Sequence, residues 1–362
     1  SFDELQPPTG LSLLTRPFVA MLVFMGCSAV LSLAAASAVV RRQPVRRVAI
    51  VGGTHGNELL GVQLIGMLEQ RPEETRRPSF ESMCVLANPE AVRLNARYVT
   101  TDLNRCFSAE ALAAEVGDCV EARRAQELDS LLGPKTSDAP QCDLCLDVHT
   151  TTSKMGTCLM MAREDNLAVE LAAHLQRRLP STRIVFWAKP RMEQPTLPTV
   201  ARSGMTVEVG GLPNGVCTAA AFHETRKLLR LALDWLERRN VALQEGSFTS
   251  RPCTVTAYER VAEVAYPRDA HGRIRALVHP YLDARDFRPI RPASPAFSSL
   301  EDGGTIACAD ACPDPALWRH APPRPWWALR RPPLFSFFVN EAAYVEKDVA
   351  FVLARKIRHT VR

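Results

Sequence analysis

The stretch AIVGGTHGNE, residues 49–58, decides how the rest of the sequence is interpreted. Its apolar start predicts a core strand, its glycines predict a tight turn, and the residues from Glu58 onward predict a helix. His55 and Glu58 are the two side chains of this stretch that can bind a metal ion. We therefore expect the functional site of the chain to gather around them.

The composition limits the class of protein. The chain has 362 residues, of which 46% are hydrophobic and 23% are charged, as is ordinary for a globular protein. This length favours one large domain with a smaller one. The net charge of +5 is small and no long basic run is interleaved with aromatic residues, so nucleic-acid binding is disfavoured. Small anionic substrates are compatible with this charge.

The cysteines indicate a reducing compartment. There are 11 of them, an odd number without a repeating spacing, which suits reduced thiols in the cytosol better than a disulfide framework. Cys142 and Cys145 have the C-x-x-C spacing, but they lie in a predicted buried strand and have no second pair at zinc-finger distance. We interpret them as structural residues.

The N-terminal region differs from the rest of the chain. Residues 18–40 carry no charge and are long enough to span a bilayer, and the segment AAASA at 34–38 resembles a signal-peptide cleavage region. Residues 1–45 are therefore either a membrane anchor or a leader introduced by gene prediction. We favour the leader, and with it a cytoplasmic protein; membrane anchoring through residues 18–40 is the alternative.

Strands and helices alternate between residues 46 and 250, which we expect to form the main domain. The hydrophobic pattern predicts strands over 47–53, 80–87, 144–148, 157–161, 183–188 and 205–209, and helices over 58–70, 121–132, 166–179 and 218–243. This alternation predicts an α/β fold with a mostly parallel sheet flanked by helices. Ligands of such sheets bind at the carboxyl ends of the strands.

The pattern changes after residue 250. Short alternating strands are predicted over 255–261, 274–279, 335–339 and 349–353, so residues 251–362 are expected to form a smaller β-rich domain. Residues 313–333 are rich in Pro, Arg and Trp. We expect this stretch to be a loop or insertion without a core of its own.

Three residues have the spacing of a catalytic zinc site, which needs three protein ligands and an open position for water. His55 and Glu58 are three positions apart where a loop enters a helix, and His149 follows at the end of another predicted strand. Spacing alone leaves open a turn histidine and a carboxylate placed by the helix dipole. Asp147, next to His149, is either an acceptor that orients a ligand or a strand-end cap.

Four further polar residues are candidates for catalysis or binding. Glu208 lies in an otherwise apolar strand, and is either a general base near a metal-bound water or an outward-facing strand residue. Arg97, Asn104 and Arg105 lie in a polar, irregular stretch. They suit recognition of a carboxylate and polarisation of an amide carbonyl, and the alternative is a solvated loop.

Taken in order, these motifs resemble those of the aspartoacylase family, zinc-dependent amidohydrolases with a carboxypeptidase-like fold that include aminoacylase-3. The resemblance runs from about Arg46 to about Phe351. The matching blocks are GGTHGNE at 52–58, ARY at 96–98, DLNR at 102–105, DVH at 147–149, VEVG at 207–210, YPRD at 266–269, HP at 279–280 and NEAAY at 340–344.

The resemblance implies a chemistry for the candidate metal site. One zinc ion would be bound by His55, Glu58 and His149, and Glu208 would activate the zinc-bound water. The implied reaction is hydrolysis of an N-acyl-L-amino acid to a carboxylate and a free amino acid, in a cytoplasmic homo-oligomer.

The resemblance also implies how the substrate is held. Arg97 would polarise the acyl carbonyl, whereas Asn104, Arg105 and Tyr344 would bind the carboxylate side of the substrate. Tyr344 comes from the small C-terminal domain, which in the family narrows the entrance to the site.

Two departures bear on the substrate. Thr150 stands where the family usually has Asn, and no Arg lies near Pro198, where aspartoacylase has one for the second carboxylate of its substrate. Other blocks are closer to aminoacylase-3, which implies N-acetylated aromatic amino acids and mercapturate-type cysteine conjugates as substrates. Aspartoacylase activity is the alternative. The alternative of another class is an inactive binding protein on the same scaffold.

Overall fold

The main sheet is built outward from the first predicted strand. The computed structural model describes residues 42–249, 251–312, 314–319 and 332–361. In it, β1 (Arg47–Gly52) pairs in parallel with β2 (Glu81–Leu86) on one side and with β3 (Leu144–Thr151) on the other. The further strands are β4 (Thr157–Met161), β5 (Arg183–Phe186), β6 (Ser203–Gly210), β7 (Cys253–Ala265), β8 (Ala276–Val278), β9 (Pro289–Ile290), β10 (Pro295–Ser299), β11 (Thr305–Ala307), β12 (Leu334–Phe337) and β13 (Val349–Val361).

Among the described residues, ten strands form this sheet, in the order β2-β1-β3-β6-β4-β5-β7-β13-β12-β9. Neighbouring strands are parallel in the set β2, β1, β3 and β6, and also in the set β4, β5 and β7. The two sets meet at the antiparallel pair of β6 and β4, and the pairs that follow β7 in this order are antiparallel as well. A second, antiparallel sheet has the order β11-β10-β8. The predicted α/β fold with a mostly parallel sheet and β-rich C-terminal part is thereby confirmed.

Helices cover both faces of the sheet. They are α1 (Leu59–Gln70), α2 (Pro89–Arg93), α3 (Ala109–Ala113), α4 (Val120–Leu132), α5 (Asn166–Arg178), α6 (Ala219–Gln244), α7 (Cys308–Ala311), α8 (Pro315–Arg319) and α9 (Ala342–Val345). Alternate residues of β1 point to opposite sides. Val48 and Ile50 therefore join the core under α1, α5 and α6, whereas Ala49 and Val51 join the core under α4.

The turn after β1 depends on two glycines. A Cβ atom on Gly52 would lie 2.4 Å from the carbonyl oxygen of Gly61, so only glycine lets α1 approach the strand this closely. Gly53 has a φ of 68°, in the left-handed region that favours glycine. The chain consequently reverses within a few residues and delivers His55 and Glu58 just beyond the carboxyl end of β1.

The C-terminal strands differ from the expectation in length and placement. Two of them, β7 and β13, are 13 residues long and extend the main sheet. Their long antiparallel pairing could not be seen in the local alternation of residues, because it joins segments that are about a hundred positions apart. Residues 315–319, which belong to the stretch 313–333 that was expected to be a loop or insertion, form α8. The division into two domains at residue 250 stays a prediction.

A β-bulge interrupts the pairing of β7 with β13. Arg260 pairs with Ala354 and Ala262 with Leu353, so Val261 has no partner of its own. In a regular strand, residues three apart point to opposite faces. The extra residue brings Arg260 and Glu263 to the same side of β7, where they form an ion pair.

The apolar segment 18–40 lies outside the described residues. Within the part that the structure describes, no helix is both long and apolar enough to cross a membrane.

Candidate active site

Three buried side chains converge at the carboxyl ends of β1 and β3. The Nδ1 atoms of His55 and His149 lie 3.2 Å apart. Glu58 Oε1 lies 2.6 Å from Nδ1 of His55, and Glu58 Oε2 lies 3.0 Å from Nδ1 of His149. One donor atom from each residue can therefore meet at a single point, and His55, Glu58 and His149 form a buried group that could hold a metal ion. The structure thus brings the three predicted ligands together.

The far nitrogen of each imidazole faces a carboxylate. Nε2 of His149 lies 2.8 Å from Asp147 Oδ2, and Nε2 of His55 lies 3.0 Å from Asp102 Oδ1. Asp147 also accepts a hydrogen bond from the Thr54 hydroxyl at 2.8 Å. Metal-binding histidines commonly have such partners, which fix the tautomer and orientation of the ring. Asp147 is therefore an orienting acceptor rather than a strand-end cap. The equivalent role of Asp102 was not anticipated from the sequence.

The electrostatics of this group favour positive charge beside Glu58. Burial opposes ionisation of Glu58, but His55 and His149 hold the pKa of its carboxyl below its usual range. Burial also disfavours the charged form of His149, whereas Asp147 and Glu58 raise the pKa of its imidazole. Carboxylates that lie this deep need a positive partner, because a buried unpaired charge costs several kcal/mol.

Thr150 contributes to this site through its backbone. Its N–H donates to Glu58 Oε2 at 2.8 Å, a contact that does not depend on the side chain. The support of Glu58 at this position therefore comes from the backbone.

Glu208 lies beside the group because of the register of the sheet. It is the direct neighbour of His149 in the parallel pairing of β3 and β6, so the two side chains point to the same face. Glu208 is buried, which excludes the outward-facing alternative. Burial raises the pKa of Glu208 to about 8, with His149 acting in the opposite direction and Glu58 in the same direction.

Arg97 closes one side of the group. Its guanidinium donates to Glu58 Oε1 and to Asp102 Oδ2, each at 3.3 Å. Burial lowers the pKa of Arg97, but Glu58 and Asp102 outweigh this and raise it, so the residue stays charged. Its Nε–H is buried and has no hydrogen-bond acceptor among the described residues. A ligand bound here would find one donor without a partner.

A small cavity of about 60 Å³ lies between these residues, next to a larger one of about 330 Å³. Asn104, Arg105, Glu208 and Tyr344 line both cavities. The residues predicted to bind the substrate therefore lie together beside the His55-Glu58-His149 group. Tyr344 enters from α9, in the C-terminal part of the chain.

Three buried residues that sequence reasoning missed hold these loops in place. Glu121 accepts hydrogen bonds from the backbone N–H groups of residues 99, 100 and 101, directly after Arg97. Lys135 donates to the carbonyl oxygens of residues 107 and 194; the first follows the segment of Asn104, and the second belongs to a residue that lines the larger cavity. Glu341 accepts from residues 151–153, at the end of β3. A charged residue in a helix, or next to apolar residues, does not by itself indicate hydrogen bonds to another segment of the chain, so these three roles could not be predicted from the sequence.

A buried His-Glu-His group and an adjacent carboxylate lie together at the strand ends of this mixed sheet, and comparison with known proteins identifies the class of protein as a hydrolase. Residues 44–236 match the catalytic domain of succinylglutamate desuccinylase and aspartoacylase. The chain is 37% identical over 327 residues to the human N-acyl-aromatic-L-amino acid amidohydrolase (carboxylate-forming), covering 89% of this chain and 94% of that one. It is 34% identical over 325 residues to the aspartoacylase of Rattus norvegicus, covering 88% and 95%.

The crystal structure of murine aminoacylase 3 has the same fold. It superposes with a TM-score of 0.76 at 35% identity, covering 88% of this chain and 98% of the murine chain. The chain therefore belongs to the succinylglutamate desuccinylase/aspartoacylase family of amidohydrolases. The family resemblance predicted from the sequence motifs is confirmed.

Proposed function

We propose that this chain hydrolyses N-acyl-L-amino acids to a carboxylate and a free amino acid, with one zinc ion per chain bound by His55, Glu58 and His149. The observation that carries the proposal is the convergence of these residues beside Glu208. One ligand atom from each of the three residues lies within 4.8 Å of the other two, and imidazole nitrogens together with a carboxylate oxygen are a set of donors that zinc accepts. A zinc ion bound here supplies Lewis acidity and lowers the pKa of a water molecule to about 7.

Glu208 acts as the general base and then as the general acid. It takes a proton from the attacking water and passes it to the nitrogen of the leaving amino acid. A carboxyl group whose pKa is raised by burial suits both steps, since it binds the proton and releases it near neutral pH.

Arg97 stabilises the charge that develops on the acyl oxygen. Its guanidinium lies beside Glu58, and its buried Nε–H has no acceptor among the residues that the structure describes. A donor that is already in place in a site shielded from water stabilises the transition state without reorganising.

Asn104, Arg105 and Tyr344 bind the α-carboxylate of the substrate. All three line both the small and the larger cavity. Arg105 is fixed by a hydrogen bond from its Nη1 to the carbonyl oxygen of Asn104 at 2.7 Å, and Asn104 Oδ1 accepts from the Leu197 N–H at 2.9 Å. A guanidinium held in this way is preorganised for a carboxylate.

The side chain of the substrate occupies the larger cavity. Part of its wall is apolar, formed by Met160, Trp187, Phe338 and Val349. Such a wall suits aromatic side chains and the S-substituents of mercapturate-type cysteine conjugates. The name of the human relative, which refers to N-acyl-aromatic amino acids, supports this preference.

Aspartoacylase activity is the second candidate, supported by the rat relative. The region around Pro198 counts against strict specificity for N-acetyl-L-aspartate. Arg191 donates to the carbonyl oxygens of residues 199 and 201, and Arg202 lies 3.5 Å from Asp143. Neither arginine lines the cavities at the metal group.

The test combines metal analysis with a substrate panel. We expect about one zinc per purified chain, and hydrolysis of N-acetyl-L-tyrosine and N-acetyl-S-benzyl-L-cysteine in preference to N-acetyl-L-aspartate. Zinc without turnover of any N-acyl amino acid would instead indicate an inactive binding protein on this scaffold. The cytoplasmic location and the homo-oligomeric state stay predictions from the family.

A further inference from the structure

A third cavity lies away from the metal group, in the C-terminal part of the chain. Its volume is about 500 Å³, and it shares no lining residue with the two cavities beside Glu208. Residues of β9, β12, β13 and α8 line it, so it lies at the end of the main sheet where β9 is the last strand. Small-molecule sites typically have volumes of about 300 to 1,000 Å³. The third cavity is therefore large enough for a ligand of its own.

Much of the wall of the third cavity is apolar. Leu334 and Phe335 of β12 line it, and α8 contributes Leu317 and Trp318. The indole of Trp318 is held by a hydrogen bond from its Nε1 to the carbonyl oxygen of Cys312 at 2.9 Å. Phe335 and the two residues of α8 are only partly buried, so part of their apolar surface can contact a ligand. Such a wall suits an alkyl chain, because each buried methylene raises affinity about fourfold.

The charged residues of this cavity all have the same sign. They are Arg291, Arg355, Lys356 and Arg358, and no lining residue is acidic. Within the described part of the chain, none of these four side chains forms an ion pair or donates a hydrogen bond. The concentration of charge is local, since the whole chain of 362 residues has a net charge of only +5. A concave site with charges of one sign focuses its field and attracts ions of the opposite sign.

The cations and the apolar wall are close enough to bind one molecule. Arg355 is the direct neighbour of Leu334 in the antiparallel pairing of β12 and β13. Neighbouring strands lie only about 4.8 Å apart, which is less than the length of a short alkyl chain. A guanidinium group presents a planar fork of donors that matches the two oxygens of a carboxylate. The combination therefore fits a molecule with an alkyl chain and a carboxylate at one end.

Two other occupants fit the third cavity less well. Residues 320–331 lie outside the described part of the chain, and their sequence, HAPPRPWWALRR, contains three Arg and no acidic residue. This segment cannot supply the negative charge that the four cations attract. A membrane surface is contacted by apolar groups that insert between lipids. A concave wall instead surrounds a single small molecule.

We propose that the third cavity is a second ligand site, which binds a medium-chain aliphatic carboxylate. The apolar wall contacts the alkyl chain, and Arg355 binds the carboxylate together with the other three cations. This inference does not rest on the proposed hydrolysis of N-acyl amino acids, because none of the lining residues belongs to the catalytic group.

The test measures binding of three probes to the full chain by isothermal titration calorimetry. Octanoate has both the chain and the charge, 1-octanol lacks the charge, and butyrate lacks four methylenes. We expect octanoate to bind at one site per chain. Butyrate should bind about a hundredfold more weakly, at about fourfold for each missing methylene. 1-Octanol should bind about tenfold more weakly, the effect of losing a charged hydrogen-bonded pair.

Three variants separate the contributions to binding. Replacing both Arg291→Gln and Arg355→Gln should weaken octanoate about tenfold and change 1-octanol by less than about threefold. Leu317→Ser places a polar group in the apolar wall and should weaken octanoate and 1-octanol alike. Arg285→Gln is the matched control, because Arg285 is exposed and does not line the cavity, and it should leave both affinities unchanged.

The catalytic cavities are excluded by competition. Octanoate should bind equally well to Glu208→Ala with and without saturating N-acetyl-L-tyrosine. Displacement by this substrate would assign octanoate to the catalytic site and overturn the inference. Equal affinities for octanoate and 1-octanol, or no binding of octanoate, would overturn it as well. Binding only after residues 320–331 are replaced by a glycine-serine linker would show that the chain itself occupies the cavity, which also contradicts a ligand site.

Discussion

The carboxylate of Glu341 accepts two hydrogen bonds from Thr152, one from its backbone N–H at 2.8 Å and one from its hydroxyl at 3.0 Å. The same oxygen accepts from the Ser153 N–H at 3.2 Å, and the other oxygen accepts from the Ala343 N–H. Through these contacts Glu341 joins the segment that carries Tyr344 to the end of β3. A cavity wall from the C-terminal part of the chain is thereby fixed to the strand that carries His149.

Replacing Glu341 should weaken both folding and substrate binding. Glu341→Ala removes the acceptor of the Thr152 N–H and of the buried Thr151 hydroxyl, so the free energy of unfolding should fall by about 3 kcal/mol. KM should rise more than kcat falls, because Tyr344 is displaced. Denaturant unfolding and steady-state kinetics measure these effects. Glu346→Ala, an exposed change in the same segment, is the matched control. Equal effects of the two substitutions would show that Glu341 has no special role.

Asp147 should control metal affinity without binding the metal. Asp147→Asn preserves the shape of the residue but weakens the partner of His149 Nε2, at present 2.8 Å away. We expect zinc affinity to fall about tenfold to a hundredfold, as for other partners of metal-binding histidines. Competition with a chromophoric chelator measures the affinity. Asp138→Asn, an exposed carboxylate on the loop before β3, should leave it unchanged.

Glu208 should be required for hydrolysis but not for zinc. Glu208→Ala should retain about one zinc per chain and lose activity by at least about a hundredfold, the usual contribution of a general base. The activity of the wild type should fall as the pH is lowered, because Glu208 must be ionised to accept a proton. Burial raises its pKa to about 8, and a nearby cation lowers it.

We therefore expect the pH profile of kcat/KM to have an acidic inflection above the usual carboxyl pKa of about 4.3 and below about 8. Unchanged turnover by Glu208→Ala would show that Glu208 is not the general base. An acidic inflection at the usual carboxyl value would contradict the effect of burial.

Glu121 should make the fold sensitive to acid. Burial opposes its ionisation, but hydrogen bonds from Thr100 and from the backbone of residues 99 and 100 lower the pKa of Glu121 to about 2. A carboxyl group with a lowered pKa in the folded state stabilises it above the unfolded pKa of about 4.3, and this stabilisation is lost as the pH falls toward 2.

Glu121→Gln should lower the free energy of unfolding by about 2 kcal/mol at pH 7. The same substitution should reduce the loss of stability between pH 5 and pH 2. Urea unfolding at several pH values tests this, with the exposed Glu115→Gln as the control. If the stabilities of wild type and Glu121→Gln fall in parallel over this range, Glu121 is not responsible for the acid sensitivity.

The catalytic side of the fold could be predicted from the sequence because its signals are local. The run before Gly52 is apolar, the following glycines permit a sharp reversal, and His149 ends another apolar run. Their meeting then follows from the rule that parallel strands place their carboxyl ends at one edge. The burial of Glu208 was harder to predict, because an acidic residue in an apolar strand can point to either face of the sheet until the pairing register is known.

The substrate side could not be predicted in this way because its contacts join distant segments. Asp102 meets both His55 and Lys347, and the latter is 245 positions further along the chain. Nothing in the local pattern around Glu341 indicates that it binds the end of β3. The orientation of Arg260 depends on which residue of β7 lacks a partner in β13, and this is a property of the paired strands rather than of either one alone.

The bulge at Val261 has an evolutionary consequence. A one-residue deletion in β7 would remove the bulge and turn Arg260 and Glu263 to opposite faces of the strand, whereas His55, Glu58, His149 and Glu208 would keep their places on other elements. The lining of the larger cavity thus depends partly on the length of a strand and can change separately from the residues at the strand ends. Insertions and deletions, and not substitutions alone, can therefore alter this cavity in descendants of the chain.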